Sequence, residues 1–225
     1  MRYAVLSSSH HPQSRSRRLA RLAHACLSAR GANATFIDLA ARTLPLCDGS
    51  GCYGDPEVQR LRQDLDNIDG FIIATPIYNY GANAVLKNAI ELTGRGIWLE
   101  RVVGFACAAG GSGSYMSIMP IVNSLMLDFR TVVVPRFVYA REEDFVDQDP
   151  AAPSGAPNSA ASGDSEAARA AEVARTRRAV VDAIADRVDS LAADVIRFAT
   201  ALRNPSSEAG TESMRRARKA STEAD

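Results

Sequence analysis

The sequence predicts an α/β domain built on a five-stranded parallel sheet with helices on both faces. Two observations carry this. Short apolar, strand-like runs alternate with longer segments of helical periodicity, an alternation that makes consecutive strands parallel. Three of the strands also run into loops rich in Ser, Gly, Asn or Tyr that lead straight into helices, and open α/β sheets bind ligands beyond such strand ends. Candidate strands are Tyr3 to Leu6, Ala34 to Ile37, Gly70 to Ala74, Val102 to Cys107 and Thr131 to Val134. Candidate helices cover 14–29, 56–65, 84–93, 114–128 and 166–203. The loops follow the first, third and fourth strands, which suits the order 2-1-3-4-5 with its switch point beside strand one.

The first strand, RYAVL, opens into SSSHHPQSRSRRLA, and the helix behind it carries Leu19, Leu22, Ala23 and Cys26 on one face. Serine hydroxyls, a helix N-terminus and Arg15, Arg17 or Arg18 would together favour an anion. The same composition also describes a Ser-capped loop beneath a solvated basic helix face, and local sequence leaves both open. Leu44 and Leu46, beyond the second strand, are expected to pack under the connection out of it.

The third strand, FIIA, is expected to stop at Thr75 because Pro76 fixes its own φ and biases the residue before it. Tyr78, Asn79, Tyr80 and Gly81 then turn the chain. Ala84, Val85, Leu86, Ala89 and Ile90 give the following helix its apolar face. The fourth strand, VVGFACA, ends in AAGGSGSYMS, where Gly110 and Gly111 permit close backbone approach to a flat ligand or serve only as a flexible turn.

These three loops resemble those of the NADPH-dependent FMN reductase family, of flavodoxin-like fold, over roughly residues 3 to 138. The family's first loop, approximately G-S-x-R-x-x-S-x-N, superposes without a gap on Ser8 to Ser16. Ser8 stands at its glycine, His11 at its arginine and Ser16 at its asparagine. The second motif, T-P-x-Y-N followed by L-K-N-A-I-D, is reproduced by Thr75 to Asn79 and Leu86 to Glu91; where the family often carries Pro-Gly, this chain has Asn83 and Ala84. The resemblance implies an FMN phosphate site at Ser9, His11, Ser14 and Ser16, with the ring and ribityl chain along Pro76, Ile77, Tyr78 and Asn79. Gly110, Gly111 and Ser112 would then lie at the pyrimidine end, as backbone donors to the negative charge of reduced flavin. No side chain is expected to be catalytic, since FMN carries the chemistry. Tyr80 and Tyr115 are candidates to wall the pocket.

By the same resemblance, the chain is an FMN-dependent NAD(P)H oxidoreductase. Hydride would pass from NADPH or NADH through FMN to a small-molecule acceptor such as a quinone, azo compound, metal oxyanion or free flavin. The alternative is a flavin-binding electron carrier without nicotinamide activity. A homodimer or homotetramer is expected, with Lys87 and Asn88 serving the dimer or the fold.

Composition agrees with a soluble enzyme. The 225 residues are 46% hydrophobic, enough for one sizeable core, and 26 basic residues balance 26 acidic ones. That neutrality argues against nucleic acid as a partner, and the basic cluster RRARK at 215–219 reads as a solvated tail. No apolar run suits a membrane span or a secretory leader, so a cytoplasmic location is expected. Cys47 and Cys52 flank Asp-Gly-Ser-Gly, a spacing open to a metal or redox pair, but no third and fourth ligand stands nearby and no metal site is expected. A cytosolic disulfide is rarer still. Residues 1–203 are read as one domain with an exposed, mobile insertion at 141–165, and 204–225 as a disordered tail. The stripe Val173, Val180, Ile184, Val188, Leu191, Val195, Ile196 and Phe198 is read as one long helix covering the sheet.

Overall fold

A computed structural model describes residues 1–146 and 165–203 of the chain. Its strands are β1 (Arg2–Ser7), β2 (Asn33–Asp38), β3 (Gly70–Tyr78), β4 (Gly81–Ala82), β5 (Val102–Ala108), β6 (Val132–Val133) and β7 (Val138–Ala140). The helices are α1 (Arg15–Ala29), α2 (Pro56–Leu65), α3 (Ala84–Thr93), α4 (Arg95–Trp98), α5 (Met119–Phe129), α6 (Glu166–Arg177) and α7 (Asp182–Arg203). The sheet runs β2-β1-β3-β5-β6, with β7 also parallel to β5 and β4 paired antiparallel to β3. The expected five positions are therefore present, and seven strands fill them.

Alternation along each strand divides the core into two layers. Tyr3, Val5, Ile72, Ala74 and Ala106 face α1 and α7, whereas Ala4, Leu6, Phe71, Ile73, Val103 and Phe105 face α2, α3 and α5. Under α7 the sheet lacks side chains at two places. A Cβ on Gly104 would lie 2.7 Å from Leu191 Cδ1, and one on Gly70 would lie 2.9 Å from Val195 Cγ1. These two glycines let the helix descend onto the strands.

Four local expectations change. Strand β3 runs through Pro76, which pairs with Ala108. Successive residues of a strand direct their backbone groups to alternate sides, and Ala74 accepts from Ser8 N–H at 3.1 Å on the β1 side. Pro76 faces that same side, beyond the last paired residue of β1 at Ser7, so its missing N–H removes no bond. The fifth strand is split at Pro135 into β6 and β7. Helix α5 begins at Met119 rather than 114, because Met116 has φ +67° and Pro120 suits only a first helical turn. The long last helix is two: Thr176 Oγ1 bonds back to Glu172 O at 2.9 Å, and Val180 then bridges to Phe145 as an extended residue.

Leu44 packs partly buried against the core, while Leu46 is 81% exposed, contrary to its expected burial. Arg141–Val146, the start of the expected insertion, are folded: Glu142–Asp144 form a 3-10 turn and Phe145 is buried. The rest of that segment, 147–164, and the tail 204–225 lie outside the described residues.

At the far end of α1, Arg30 grips Asp189 of α7 through two bonds of 2.5 and 2.6 Å. The guanidinium bond holds the Asp189 carboxyl below its usual range. A depressed carboxyl stabilises the fold above its unfolded value, near pH 4, and that contribution is lost as pH falls through the folded value. Both side chains are about a third exposed (31% and 38%), so solvent screens the pair. Asp189→Asn is expected to cost about 0.5–1 kcal/mol at pH 7 and to converge on the parent protein in strong acid. Urea denaturation across that pH range measures it, and a parallel offset at every pH would reject the ion-pair account.

Candidate active site

Three loops meet where strand order reverses beside β1. The first, between β1 and α1, is held from within. Ser9 Oγ accepts from His11 N–H at 3.2 Å, and Ser14 caps α1 by accepting from Arg17 N–H at 3.1 Å. Ser16 Oγ lies 3.0 Å from Ser14 Oγ. His11 Nδ1 accepts from Gln13 N–H at 3.1 Å, which leaves Nε2 as the ring's donor.

Arg17 is not the anion-facing group its position suggests. Its guanidinium donates to Asp38 Oδ2 at 2.7 Å, Ser9 O at 2.7 Å, His11 O at 2.8 Å and Pro12 O at 3.2 Å. It ties the loop to the end of β2 and so shapes the site from beneath. Arg15 pairs with Glu142 and lies 6.0 Å from the Phe145 ring centroid.

The second loop is a hairpin between β3 and β4. Asn79 and Tyr80 have φ of +49° and +61°, the positive values that a two-residue type I′ turn demands at both central positions. Ile77 and Tyr78 are thereby carried past the end of β1. Behind the hairpin, Asn83 caps α3 by accepting from Leu86 N–H at 3.3 Å. Its Oδ1 also lies 3.0 Å from Ser8 Oγ and 3.2 Å from Thr75 Oγ1, and its Nδ2 donates to Ser8 O at 2.8 Å. One buried amide therefore fastens the first loop, β3 and α3 together.

The third loop leaves β5 at Ala108. Ala109 N–H is taken by Ala140 O at 2.9 Å, whereas a Cβ on Gly110 or Gly111 would meet nothing within 4 Å. Tyr80 reaches across to this loop, its hydroxyl 3.1 Å from where a Gly113 Cβ would stand.

The loops enclose a cavity of about 890 Å³, at the upper end of the ~300–1,000 Å³ typical of small-molecule sites. Ser9, His11, Ser14 and Ser16 of the first loop line it together with Pro76, Ile77, Tyr78 and Gly110 of the other two. Asn79, Gly111 and Ser112 stand in the same loops but outside that lining, as do Tyr80 and Tyr115. The cavity also takes in Arg18, one of the arginines expected to favour an anion, together with Arg21 and Phe145, which the sequence reading does not single out. Arg18 and Arg21 repeat the spacing of Arg15 along α1, a signal visible in the sequence, but Phe145 is brought in by tertiary packing alone. Among the described residues, no three His, Cys, Asp or Glu side chains group as metal ligands.

The family model for NADPH-dependent FMN reductase matches residues 1–145. The chain belongs to that family. FMN and a reduced nicotinamide are the cofactors expected of an FMN reductase of this kind, and the open Gly-rich loop and Ser-lined helix N-terminus fit a flat, phosphorylated ligand. Similar curated proteins are a potato NAD(P)H:quinone oxidoreductase, 31% identical over 39% of this chain and 46% of that protein, and an NAD(P)H-dependent FAD/FMN reductase of Geobacillus thermodenitrificans, 27% identical over 49% and 60%. The chain thus spans about half the length of the curated relatives it matches. A flavodoxin, WrbA-like protein from Agrobacterium tumefaciens superposes with TM-score 0.54 at 14% identity, covering 88% of this chain and 96% of the other, a likeness of fold. The flavodoxin-like architecture of this FMN reductase family member is thereby established. No helix among its described residues is long and apolar enough to cross a membrane.

Proposed function

We propose that the chain is an FMN-dependent NAD(P)H oxidoreductase that passes hydride from a reduced nicotinamide through bound FMN to a small-molecule acceptor. The observation that carries this reading is the single cavity into which the ends of β1, β3 and β5 open. Ser9, His11, Ser14 and Ser16 would hold the flavin phosphate at the N-terminus of α1, where backbone N–H groups and the helix dipole favour an anion. Pro76, Ile77, Tyr78 and Asn79 would flank the ring, and Gly110, Gly111 and Ser112 its pyrimidine end. Bound FMN supplies the redox chemistry; the protein's part is to position, to exclude water and to direct backbone donors. Arg18 and Arg21, which also line the cavity, would add positive charge for the phosphates of a dinucleotide. Quinones, azo compounds, metal oxyanions and free flavin are the acceptor classes that fit.

A homodimer or homotetramer belongs to the same reading. Met126 and Leu127 of α5 are 48% and 85% exposed, an apolar surface suited to a second copy. Light scattering at micromolar concentration reads the assembly directly.

The decisive experiment titrates the flavin-stripped protein with FMN and FAD, then mixes the loaded protein anaerobically with NADH and NADPH. Tighter binding of FMN and bleaching of its absorbance are expected. Absence of flavin binding rejects the site, whereas binding without bleaching by either nicotinamide converts the enzyme into an electron carrier.

A further inference from the structure

Cys47 and Cys52 lie away from the cavity, on the strap between β2 and α2, and their Sγ atoms are 4.0 Å apart. We propose that they form an oxidisable dithiol that closes into an intrachain disulfide. Spacing alone leaves a redox pair open, and it is the expected cytoplasmic location that argues against a disulfide.

The strap brings the two sulfurs together by its own geometry. Gly49 has φ +74°, and the exposed Asp48 carboxylate accepts from Ser50 N–H at 2.8 Å and Cys52 N–H at 3.4 Å, which curls the chain back on itself. Bonding requires the sulfurs to close to ~2.05 Å. The strap between them is loosely surrounded, since a Cβ on Gly49 or Gly51 would meet nothing within 4 Å. The thiols also differ in access. Cys47 is half-buried with Sγ 3.6 Å from Tyr53 Oη, and Cys52 is 7% exposed behind it. Cys26 and Cys107 belong to another class, because burial pushes both thiols up to about 12 and leaves them protonated at neutral pH.

With hydrogen peroxide as oxidant, Cys47 gives up its thiol proton and its sulfur attacks one peroxide oxygen; the O–O bond breaks, Cys47 becomes a sulfenic acid, and the other oxygen leaves as hydroxide that takes up the released proton to form water. The Cys52 sulfur then attacks the Cys47 sulfur. An S–S bond forms, the S–O bond breaks, and the hydroxide leaves as a second water with the Cys52 proton. Two thiols lose two electrons and one peroxide gains them.

The strap is tied to α3. Cys47 N–H donates to Asn88 Oδ1 at 2.8 Å, and Asn88 Nδ2 donates to Pro45 O at 2.9 Å. Asn88, in the Leu-Lys-Asn-Ala-Ile stretch, thus binds the strap to the helix that Asn83 fastens to the cavity loops.

The test treats the full chain with hydrogen peroxide, blocks free thiols by alkylation and maps the cysteines by mass spectrometry. Free thiols titrated after denaturation are expected to fall from four to two, with cleavage before Asp48 releasing two peptides joined through Cys47 and Cys52. Dithiothreitol should restore all four. Cys52→Ser should stop at a Cys47 sulfenic acid that dimedone traps, and Cys47→Ser should yield no crosslink. Persistence of both thiols in the oxidised, folded protein, or pairing of either with Cys26, Cys107 or a second chain, overturns the proposal. Because the readout is covalent, it is independent of flavin binding.

Discussion

Arg17→Ala is expected to cost about 3 kcal/mol of stability and to weaken flavin binding on the order of a hundredfold. The side chain is 7% exposed and its partner Asp38 19% exposed. Removal leaves that carboxylate with no guanidinium and orphans the carbonyls of Ser9, His11 and Pro12 at once. Breaking a buried ion pair typically costs about 3–5 kcal/mol, and the residual exposure of Asp38 places this case at the low end. The flavin effect follows because Ser9 and His11, both in the proposed phosphate site, lose the anchor that holds their backbone. Arg17→Lys should recover only a fraction, since an ammonium cannot span partners arranged around a planar fork. Urea denaturation and equilibrium titration with FMN give the two numbers. A variant within about 1 kcal/mol of the parent would show that the loop holds itself without the guanidinium.

Asn83→Ala should remove about 2–4 kcal/mol, by adding a lost helix cap to buried groups left without a partner. Leu86 N–H loses its acceptor, Ser8 O loses its donor, and the hydroxyls of Ser8 and Thr75 lose Oδ1. The two hydroxyls have other carbonyls in reach, Ala74 O at 3.3 Å and Pro76 O at 3.3 Å, which limits the loss. Asn83→Asp separates the contributions. It keeps the cap acceptor but sets a carboxylate oxygen against Ser8 O, so helix α3 should survive while the first loop loosens. Calorimetry together with FMN titration should therefore show stability partly restored and affinity still reduced. Equal recovery of both would mean that Asn83 acts only as a cap.

Both residues stand within the motifs that the sequence offers, yet neither role is visible there. Arg17 looks like an anion ligand because it follows serines at a helix start, and only the arrival of Asp38 at the end of the neighbouring strand turns it inward. Asn83 replaces a Pro-Gly step, and its partners Ser8 and Thr75 come from the first loop and from β3. The third case is Cys47 and Cys52, five positions apart on a strap whose turn depends on Asp48 and Gly49. In the first two, the deciding contact crosses between segments that local composition treats as independent; in the third it is made by a turn inside one strap.

What the sequence determines by itself is the set of features with a period or a fixed local geometry. Strand and helix alternation sets the parallel sheet, one-sided apolar spacing sets the helices, and three loops after β1, β3 and β5 suit the strand order and point to where a ligand would be met. Tertiary structure decides whatever depends on a neighbour's position. Pro76 stays in β3 because β1 has already turned away, and the last helix breaks because Val180 finds Phe145 to pair with. Phe145 enters the cavity wall for the same reason. Backbone and buried polar groups need partners, and which partner is within reach is fixed only when distant segments pack.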